Sequence, residues 1–514
     1  MSTLELKKIS ALFLALMIFS LVISACQSQP RERQTPVLIY PSDPTTRLKL
    51  VFSTYIGGSK KDELRDIVTD RQGNIYITGG TVSSDFPTTS GAFQTIHKGD
   101  FDVFVMKLDP NGKVIWSTLI GGPKHDRAYA IKVDNQGYVY IAGRAGPGFP
   151  VTSGAFQTQF QGYGGGYGPQ NAFVAKLKPD GSGLVWASYF GVASMIRDFD
   201  IDKDGNIYIE SGYSPGKSPN TIPSAWVANA FQKTPPGGED VVVAKIKSDG
   251  SQVLWATYLG GSGKEDHTAS LRVDNSNYVY VLLYTQSTDM PVSLKAYDRT
   301  YNGGEDYFLA KLTPDGSNLV FGTYLGGSKN EIISTHNLAL DAQGNAYIIA
   351  WTSSPDFPTT PGAFQRTYRG GFSDVAVSKI SSDGTQLLAS TFIGGSDGEN
   401  AESIAMDLMG NIYFSGETNS TDFPVTADAF QRNNAGKMDG FLVKLSPDFN
   451  KLLYSTYMGG SDDDASRSST LDANGNFFFA GCTKSDNFPI LNSLQPSRAG
   501  LLDIALAKFT PQLK

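Results

Sequence analysis

The sequence predicts an all-β protein whose core is a single seven-bladed β-propeller of four-stranded blades. One observation is a repeated motif, Ser-Thr-Tyr-Ile-Gly-Gly-Ser at residues 53–59, which returns with small changes at intervals of 64 to 70 residues. A second is that each interval contains four short segments of alternating apolar and polar residues, with no helical periodicity. Seven such units indicate a propeller. The first glycine of the motif stands at Gly57, Gly121, Gly191, Gly260, Gly326, Gly394 and Gly459.

The first segment of each unit is the Ser-Thr-Tyr strand, which ends at the glycine pair. A large side chain two positions before the threonine alternates with small residues, as expected for a strand with one packed face. Ala389 is the exception at this position. The large residues are Phe52, Trp116, Trp186, Trp255, Phe321 and Tyr454.

The next two segments form a hairpin around an Asp-x-x-Gly-Asn turn, residues 70–74 in the first unit. Glycine supplies the positive φ that such a turn needs, and the aspartate caps its amides. The last segment is a strand with a lysine, Lys107 in the first unit. A long loop, Asp-Phe-Pro-Thr-Thr-Ser-Gly-Ala-Phe-Gln at residues 85–94, leads into this strand, and we expect its phenylalanines to fold it back onto its own blade.

The order of the segments predicts how the ring closes. The repeats begin with a Ser-Thr-Tyr strand and end with a lysine strand at residues 503–509. If the Ser-Thr-Tyr strand is outermost, residues 48–56 complete the blade formed by the C-terminal segments, which leaves no open sheet edge at the seam. The alternative is an unclosed solenoid of seven units.

In this order, the motifs resemble those of the SBBP repeat family of seven-bladed β-propellers, which is common in bacterial extracytoplasmic proteins. The resemblance covers about residues 48–510 and includes Gly-Asn-x-Tyr after the hairpin turn. It implies the fold and a surface location, and it implies neither a reaction nor a catalytic set. The third unit, Gly-Val-Ala-Ser-Met at residues 191–195, departs most from the pattern.

The N-terminal residues predict a lipoprotein signal. Residues 1–25 combine two lysines with a short apolar run, and Ile-Ser-Ala-Cys at residues 23–26 resembles the bacterial lipobox, whose cysteine becomes acylated. The alternative is an ordinary secretory signal in which Cys26 occurs by chance. Residues 26–47, rich in proline, would form a tether, and residues 48–514 the propeller. Gln27 is compatible with display on an outer membrane or the cell surface.

Charge and composition exclude several classes of function. The net charge is −7 and there is no basic run, which argues against nucleic-acid binding and leaves a lipid anchor as the only membrane contact. With Cys26 acylated, Cys482 has no disulfide partner in the chain. The four histidines show no metal-ligand spacing, so we expect no cofactor and no metal, and we expect a monomer.

A carboxylate recurs four residues after the second glycine of the motif, with Ile196 as the exception. The turn leads into the innermost strand of the next blade, so these side chains would ring the channel mouth and could hold a divalent cation. The alternative, which we favour, is that each caps the amides of its own turn or pairs with the neighbouring blade. The carboxylates are Asp62, Asp126, Glu265, Glu331, Glu399 and Asp464.

The residue before the last threonine of the hairpin varies from unit to unit, although its neighbours repeat. We expect it to open onto the face of the long loops, where aromatic and charged residues favour recognition; an unconstrained exposed position would vary as well. The residues are Gly80, Arg144, Tyr213, Tyr284, Trp351, Glu417 and Cys482. Two enlarged loops add Tyr163 and Tyr167 at 161–171, and Trp226 at 214–229, although loop drift explains them equally.

No catalytic constellation is recognisable. Residues 200–205 begin like a calcium loop, but Ser211 stands where the bidentate glutamate is required, so we interpret them as a turn. No nucleophile elbow is present. We therefore expect a non-catalytic, lipid-anchored extracytoplasmic module that binds an envelope protein or polysaccharide through one propeller face. The alternatives are a polysaccharide lyase or hydrolase that uses top-face carboxylates, and a passive surface structural protein.

Overall fold

The computed structural model describes residues 39–40, 47–162, 164, 166–215 and 221–512, apart from the side chains of 266–268. The predicted signal segment, the acylation site Cys26 and most of the tether lie outside these residues. The described part is all-β, as predicted, and none of it is a helix long and apolar enough to cross a membrane.

Seven antiparallel sheets form the blades, and each runs from its first strand at the channel to its fourth strand at the periphery. Blades 1 to 3 comprise Asp62–Thr69, Ile75–Thr81, Asp102–Leu108, Val114–Ile120; Arg127–Val133, Val139–Ala145, Asn171–Leu177, Leu184–Phe190; and Ile196–Ile201, Ile207–Tyr213, Asp240–Ile246, Val253–Leu259. Blades 4 and 5 comprise Glu265–Val273, Val279–Thr285, Asp306–Leu312, Leu319–Leu325; and Glu331–Ile332 with Leu338–Leu340, Ala346–Thr352, Asp374–Ile380, Leu387–Ile393. Blades 6 and 7 comprise Glu399–Met406, Ile412–Thr418, Asp439–Leu445, Leu452–Met458; and Asp464–Leu471, Phe477–Thr483, Asp503–Pro511, Leu48–Ile56.

Blade 7 is assembled from both ends of the repeat region. Leu48–Ile56 pairs antiparallel with Asp503–Pro511 and forms the fourth strand of this blade. On the channel side, Ser468 Oγ of blade 7 donates to Asp66 Oδ1 of blade 1 at 2.8 Å. The first and last blades therefore meet through the same kind of contact that joins their neighbours, such as the 2.8 Å hydrogen bond from the Ile131 amide to Asp66. A short parallel pair, Ile39–Tyr40 with Val425–Thr426, lies outside the blades.

A lysine, an aspartate and a tyrosine hold the hairpin turn of blades 1 to 6. In blade 3, Lys245 Nζ lies 3.2 Å from Asp202 Oδ2 and 4.6 Å from the centre of the Tyr208 ring. Asp202 Oδ1 also accepts from the Asn206 amide, which caps the turn. The other lysines that contact both the turn aspartate and the ring are Lys107, Lys176, Lys311, Lys379 and Lys444.

The large residue of each fourth strand packs beneath a turn of the next blade. Trp116 Nε1 donates to the Pro179 carbonyl at 2.9 Å, and a β-carbon on Gly181 would lie 2.6 Å from its ring. The same glycine contact recurs beneath Phe52, Trp186, Trp255 and Phe321. The sequence exception Ala389 is compensated across the interface, because Phe449 replaces the glycine there and packs in the same core cluster.

The long loops fold back as predicted. Phe86 is buried and stacks on Phe104 of its own blade, with ring centres 4.8 Å apart. At the other end of the loop, the Phe93 amide donates to the Gly181 carbonyl of the next blade. Each long loop therefore connects its own blade to the next one. Residues of the first strands form the channel side of the propeller face that carries these loops.

Candidate functional site

The six turn carboxylates are buried and cap their own turns. Asp62 Oδ2 accepts from the Gly58 amide at 2.7 Å and from Ser83 Oγ at 3.0 Å, and Thr81 donates to Oδ1. The second-glycine amide donates in the same way to Asp126, Glu265, Glu331, Glu399 and Asp464. Their side chains therefore point into the protein rather than towards an open channel mouth. Among the described residues, no group of three or more His, Cys, Asp or Glu could hold a metal ion.

A second buried acid lies beside each of these carboxylates, and the sequence analysis missed it. A β-carbon on Gly394 would lie 2.6 Å from Asp374 Oδ1 and 2.8 Å from Glu399 Oε2. Burial raises the pKa of Asp374 to about 7, and burial with Asp374 nearby raises that of Glu399 to about 8. We call these couples the acid pairs. The second acid begins the third strand of its blade, as Asp102, Asp240, Asp306, Asp374, Asp439 and Asp503.

At the third copy of the glycine motif, between blades 2 and 3, both members of the acid pair are absent. Asn171 begins the third strand of blade 2, and the groups nearest to a β-carbon on Gly191 are the amides of Gln157 and Gln161. Ile196 pairs with Ser211 and is a buried core residue rather than a turn residue. Loss of one acid at this copy therefore coincides with loss of the other.

The structure corrects the placement of Tyr213. Tyr213 pairs with Asp240, as Thr81 pairs with Asp102, so the varying position in blade 3 is Gly212. The Tyr213 ring is buried 5.2 Å from that of Tyr258. Gly212 follows Asn206 by six residues, as Gly80 follows Asn74. The sequence conceals this because Tyr213 replaces the last threonine of the hairpin and is followed by Ser214, which resembles that threonine.

The remaining varying residues have different surroundings. Trp351 is half-buried, and its ring lies 5.3 Å from that of the exposed Phe372. Tyr284 is half-buried against the core between blades 4 and 5. Glu417 lies 3.6 Å from Arg467 in blade 7.

The enlarged loops give one exposed ring and one packed ring. Trp226 is half-buried and stacks on Phe190 at 6.0 Å, so it belongs to the packing between blades. Tyr163 lies outside the described residues. Tyr167 is 54% exposed and stacks on His125 at 4.4 Å.

Tyr167 covers a group of arginines that the sequence analysis found only in part. Arg144 lies 5.1 Å from the centre of the Tyr167 ring and 5.3 Å from that of Tyr129. Three further guanidinium groups lie 4.8 to 5.4 Å from the Tyr129 ring. We call the four together the arginine cluster: Arg65, Arg127, Arg144 and Arg197.

Irregularities in the first strands bring these residues together. The pairing register shifts between Leu64 and Asp66 in blade 1 and between Ala128 and Ala130 in blade 2. The residues between them, Arg65 and Tyr129, leave the regular ladder, as expected at a β-bulge. Arg197 stands at the corresponding shift of blade 3. Sequence spacing cannot reveal this convergence, because a bulge changes which residues face the channel.

Glu63 forms ion pairs within the arginine cluster, and a second buried carboxylate, Glu210, lies beside Arg197, whose amide donates to its Oε1 at 3.2 Å. Glu63 contacts Arg65 at 3.2 Å and also contacts Arg127 and Lys61. Burial works against the ionised form of Glu63, but Arg65 and Arg127 outweigh it and lower its pKa to about 2. Among the described residues, no carboxylate lies within ion-pair distance of Arg144 or Arg197.

Tyr129 is a second group whose ionised form is stabilised by these guanidinium groups. It accepts a hydrogen bond from Arg127 and is fully buried. Burial alone would raise its pKa, yet Arg127, Arg144 and the other guanidinium groups lower it to about 8. The phenol therefore acts as a partial anion near neutral pH.

A histidine stands deeper in the channel. His336 has a φ of 62°, and its Nδ1 lies 3.2 Å from Asp198 Oδ1 while its Nε2 lies 3.6 Å from Asp66 Oδ1. Burial lowers the pKa of His336, but Asp66 and Asp198 outweigh it and raise the value above normal. His336 is buried between Asp66 of blade 1 and Asp198 of blade 3 and joins them to blade 5, so we assign it to the structure of the channel.

Comparisons with known proteins agree with the fold. The SBBP family profile, described as a beta-propeller repeat, matches residues 51–87 and 320–358. Regulatory protein FlaEY of Caulobacter vibrioides is 26% identical over 242 residues, which cover 45% of this chain and 24% of that protein. The chain thus matches about a quarter of the length of this curated relative.

Two solved structures extend the comparison. A Dyadobacter fermentans protein of unknown function has a TM-score of 0.44 and 10% identity, covering 91% of this chain and all of that one. The quinohemoprotein alcohol dehydrogenase of Comamonas testosteroni has a TM-score of 0.43 and 11% identity, covering 92% of this chain and 80% of that one. The described part of the chain is thus a seven-bladed β-propeller in which two segments match the SBBP repeat.

Proposed function

We propose that the protein is a non-catalytic binding module that recognises an envelope protein or a polysaccharide through the propeller face that carries the arginine cluster. The observation that supports this is the charge imbalance of the cluster: four buried or half-buried guanidinium groups surround one tyrosine, and Glu63 forms ion pairs with two of them. A rigid ring of blades presents this surface without needing to rearrange.

The burial of the turn carboxylates argues against a carboxylate-based hydrolase at this face. Such an enzyme needs two accessible carboxyl groups about 5 to 10 Å apart on either side of a glycosidic bond. The six turn carboxylates are buried in hydrogen-bonded turns. The lyase or hydrolase alternative becomes an outcome of the binding experiment, in which a retained polysaccharide is checked for shortening.

We further propose that Cys26 is acylated and that the tether holds the propeller outside the cytoplasmic membrane, on an outer membrane or the cell surface. The lipobox-like Ile-Ser-Ala-Cys sequence supports this. Incorporation of labelled palmitate into the full-length chain tests it, with Cys26→Ser as the variant and Cys482→Ser as the control. Equal labelling of both variants, or of neither, would contradict acylation at Cys26.

The binding proposal is tested with the full-length protein as bait in an envelope extract. A double variant, Arg144→Gln with Tyr167→Ala, alters the proposed face. A matched variant, Leu408→Ser, alters a fully exposed residue of the hairpin at the opposite end of blade 6. We expect one protein or polysaccharide to be lost with the double variant and retained with Leu408→Ser. Equal retention by all three proteins would overturn the assignment of the face, and absence of any retained component would favour the passive structural alternative.

A further inference from the structure

We propose that the arginine cluster binds the carboxylate group of an acidic sugar, held by Arg127, Arg144 and Arg197, with the sugar ring against Tyr167. This inference rests on the proposed binding function and specifies its ligand class.

Charge balance requires an anion near Arg144. The Arg144 residue is only 7% exposed, and burial together with Arg127 and Arg197 lowers its pKa to about 10. A buried charge without a partner costs several kcal/mol, so proteins normally pair such groups. Glu63 is already shared by Arg65, Arg127 and Lys61. A bound carboxylate would supply the missing counter-charge.

The hydrogen-bond donors of the cluster are also unused. The Nε atoms of all four arginines are buried and have no hydrogen-bond partner among the described residues. Arg144 Nη2 has the Met195 sulfur at 3.0 Å, which is a weak acceptor. Guanidinium groups offer a planar fork that matches a carboxylate with two parallel hydrogen bonds.

The pocket beside the cluster fits a ring-shaped body. It has a volume of about 530 Å³, and its lining includes Asp100, Phe101, Lys124, His125 and Tyr167. None of the four arginines lines it, and Tyr167, which contacts Arg127 and Arg144, connects the pocket to the cluster. This size lies within the range of small-molecule sites in proteins. The Tyr167 ring offers a flat apolar surface at the edge of the arginines, where the body of a sugar can lie while its carboxylate enters the cluster.

Two observations bear on the class of anion. The chain as a whole is acidic, with a net charge of −7, and repels dense polyanions such as nucleic acids at long range. The Tyr167 ring beside the arginines offers a face against which a sugar ring can lie. Together they favour a sugar that carries a carboxylate over a nucleic acid.

The test measures binding of a trimer of galacturonic acid to the full-length protein by calorimetry, beside its neutral methyl ester. We expect the acid to bind and the ester to bind at least about tenfold more weakly. Arg144→Gln and Arg197→Gln each lower the affinity for the acid by a similar factor. Arg71→Gln, an exposed arginine in a hairpin turn at the other end of blade 1, leaves it unchanged.

A spectroscopic measurement guards against variants that fold poorly. Because the arginines lower the pKa of Tyr129, a carboxylate that neutralises them must raise it, and the absorbance of the tyrosinate form reports this in the unmodified protein. Tyr129→Phe should abolish the low-pKa titration. We expect the acidic trimer, but not the ester, to shift it upward.

The outcomes separate this inference from the broader function. If neither the trimer nor a set of other acidic oligosaccharides binds or shifts the Tyr129 titration, the sugar proposal is overturned. If acidic peptides bind equally well, the ligand class is wrong although the site stands. If an envelope component is retained by Arg144→Gln as well as by the unmodified bait, the binding function survives and the arginine cluster is not its site.

Discussion

The periphery of the blades and the wall of the central channel differ in how closely their residues repeat from blade to blade. At the periphery, a lysine, an aspartate and a tyrosine recur in blades 1 to 6 with nearly the same distances, whereas in blade 7 Phe478 replaces the tyrosine and Lys508 donates to the Pro110 carbonyl. In the channel, the residues at the irregularities of the first strands differ from blade to blade. They are Arg65, Tyr129, Arg197, His336, Glu402 and Arg467.

The difference teaches which residues the fold requires. A position that repeats around the ring meets the same packing demand seven times, so its identity reports structure. At a position that varies although the backbone repeats, packing does not fix the residue type, and the residue can instead bind a ligand. Arg65 and Arg197 satisfy this condition, since they stand at corresponding irregularities of the first strands. Arg127 and Arg144, which pair with each other in blade 2, join them around Tyr129.

The strongest test of the periphery exploits its one exchanged contact. Between blades 5 and 6, Ala389 and Phe449 stand where other blades have an aromatic residue and a glycine. Phe449→Gly should lower the free energy of unfolding by about 3 to 5 kcal/mol, because it opens a cavity that Ala389 cannot fill. Denaturant unfolding followed by fluorescence measures this change.

Restoring the usual arrangement provides the control. The double variant Ala389→Trp with Phe449→Gly should recover most of the loss, while Ala389→Trp alone should destabilise by overpacking. Additive losses in the double variant would show that the two positions are not one packing unit, and the periphery would then be less uniform than we describe.

In the channel, the corresponding test removes the carboxylate of the arginine cluster. Glu63→Gln should cost about 3 kcal/mol, because Arg65 and Arg127 remain buried without their partner. The low pKa of Glu63 gives the expected pH dependence: its contribution is present above its unfolded value of about 4.3 and is lost as the pH falls towards 2. The unmodified protein should therefore lose its advantage over the variant in acid, as measured by thermal unfolding from pH 7 to pH 2.

An acidic sugar sharpens this prediction. If the cluster accepts a carboxylate, galacturonate should stabilise Glu63→Gln more than the unmodified protein, because the variant has greater excess positive charge. Equal stabilisation of both proteins would contradict a direct interaction with the cluster.

The acid pairs make a smaller and opposite contribution. Asp374 and Glu399 have raised pKa values, so their stabilising contribution is complete below an unfolded value of about 4 and is lost as the pH rises through about 7 to 8. Asp374→Asn removes one charge and should stabilise the protein by about 1 to 2 kcal/mol at pH 8, with little effect at pH 4. Asn171→Asp in blade 2, where no turn carboxylate faces the new acid, is the matched comparison: burial alone should make this acid destabilising as the pH rises, but by less than in an acid pair.

Sequence analysis found the parts that repetition exposes. The blades, the hairpin turns, the exceptional Ala389 and the pairing of residues 48–56 with the last blade followed from spacing and from the order of motifs. Tyr213 was misplaced by one residue, because it replaces the last threonine of the hairpin and the following Ser214 resembles that threonine.

The candidate site was only partly predictable for a physical reason. Arg144 and Tyr167 were recognisable as a departure from the repeat and as an aromatic residue in an enlarged loop, and the structure brings them together. Arg65, Arg127 and Arg197 were not, because three different blades supply them and bulges decide which side chains turn inwards. Trp226 shows the converse, since an aromatic residue in a long loop can serve packing instead.

The smallest effect is expected at the end of the propeller opposite the arginine cluster. Leu408 and Met409 are 104% and 80% exposed in the hairpin turn of blade 6, where they make no core contact. Leu408→Ser with Met409→Ser should change the free energy of unfolding by less than about 0.5 kcal/mol, because neither side chain is removed from water on folding. Denaturant unfolding measures this, and the retention experiment with envelope extract measures binding in parallel. Loss of the retained component with unchanged stability would move the binding surface to the hairpin end, where apolar residues rather than arginines would form it, and the contrast between a structural periphery and a functional channel wall would no longer hold.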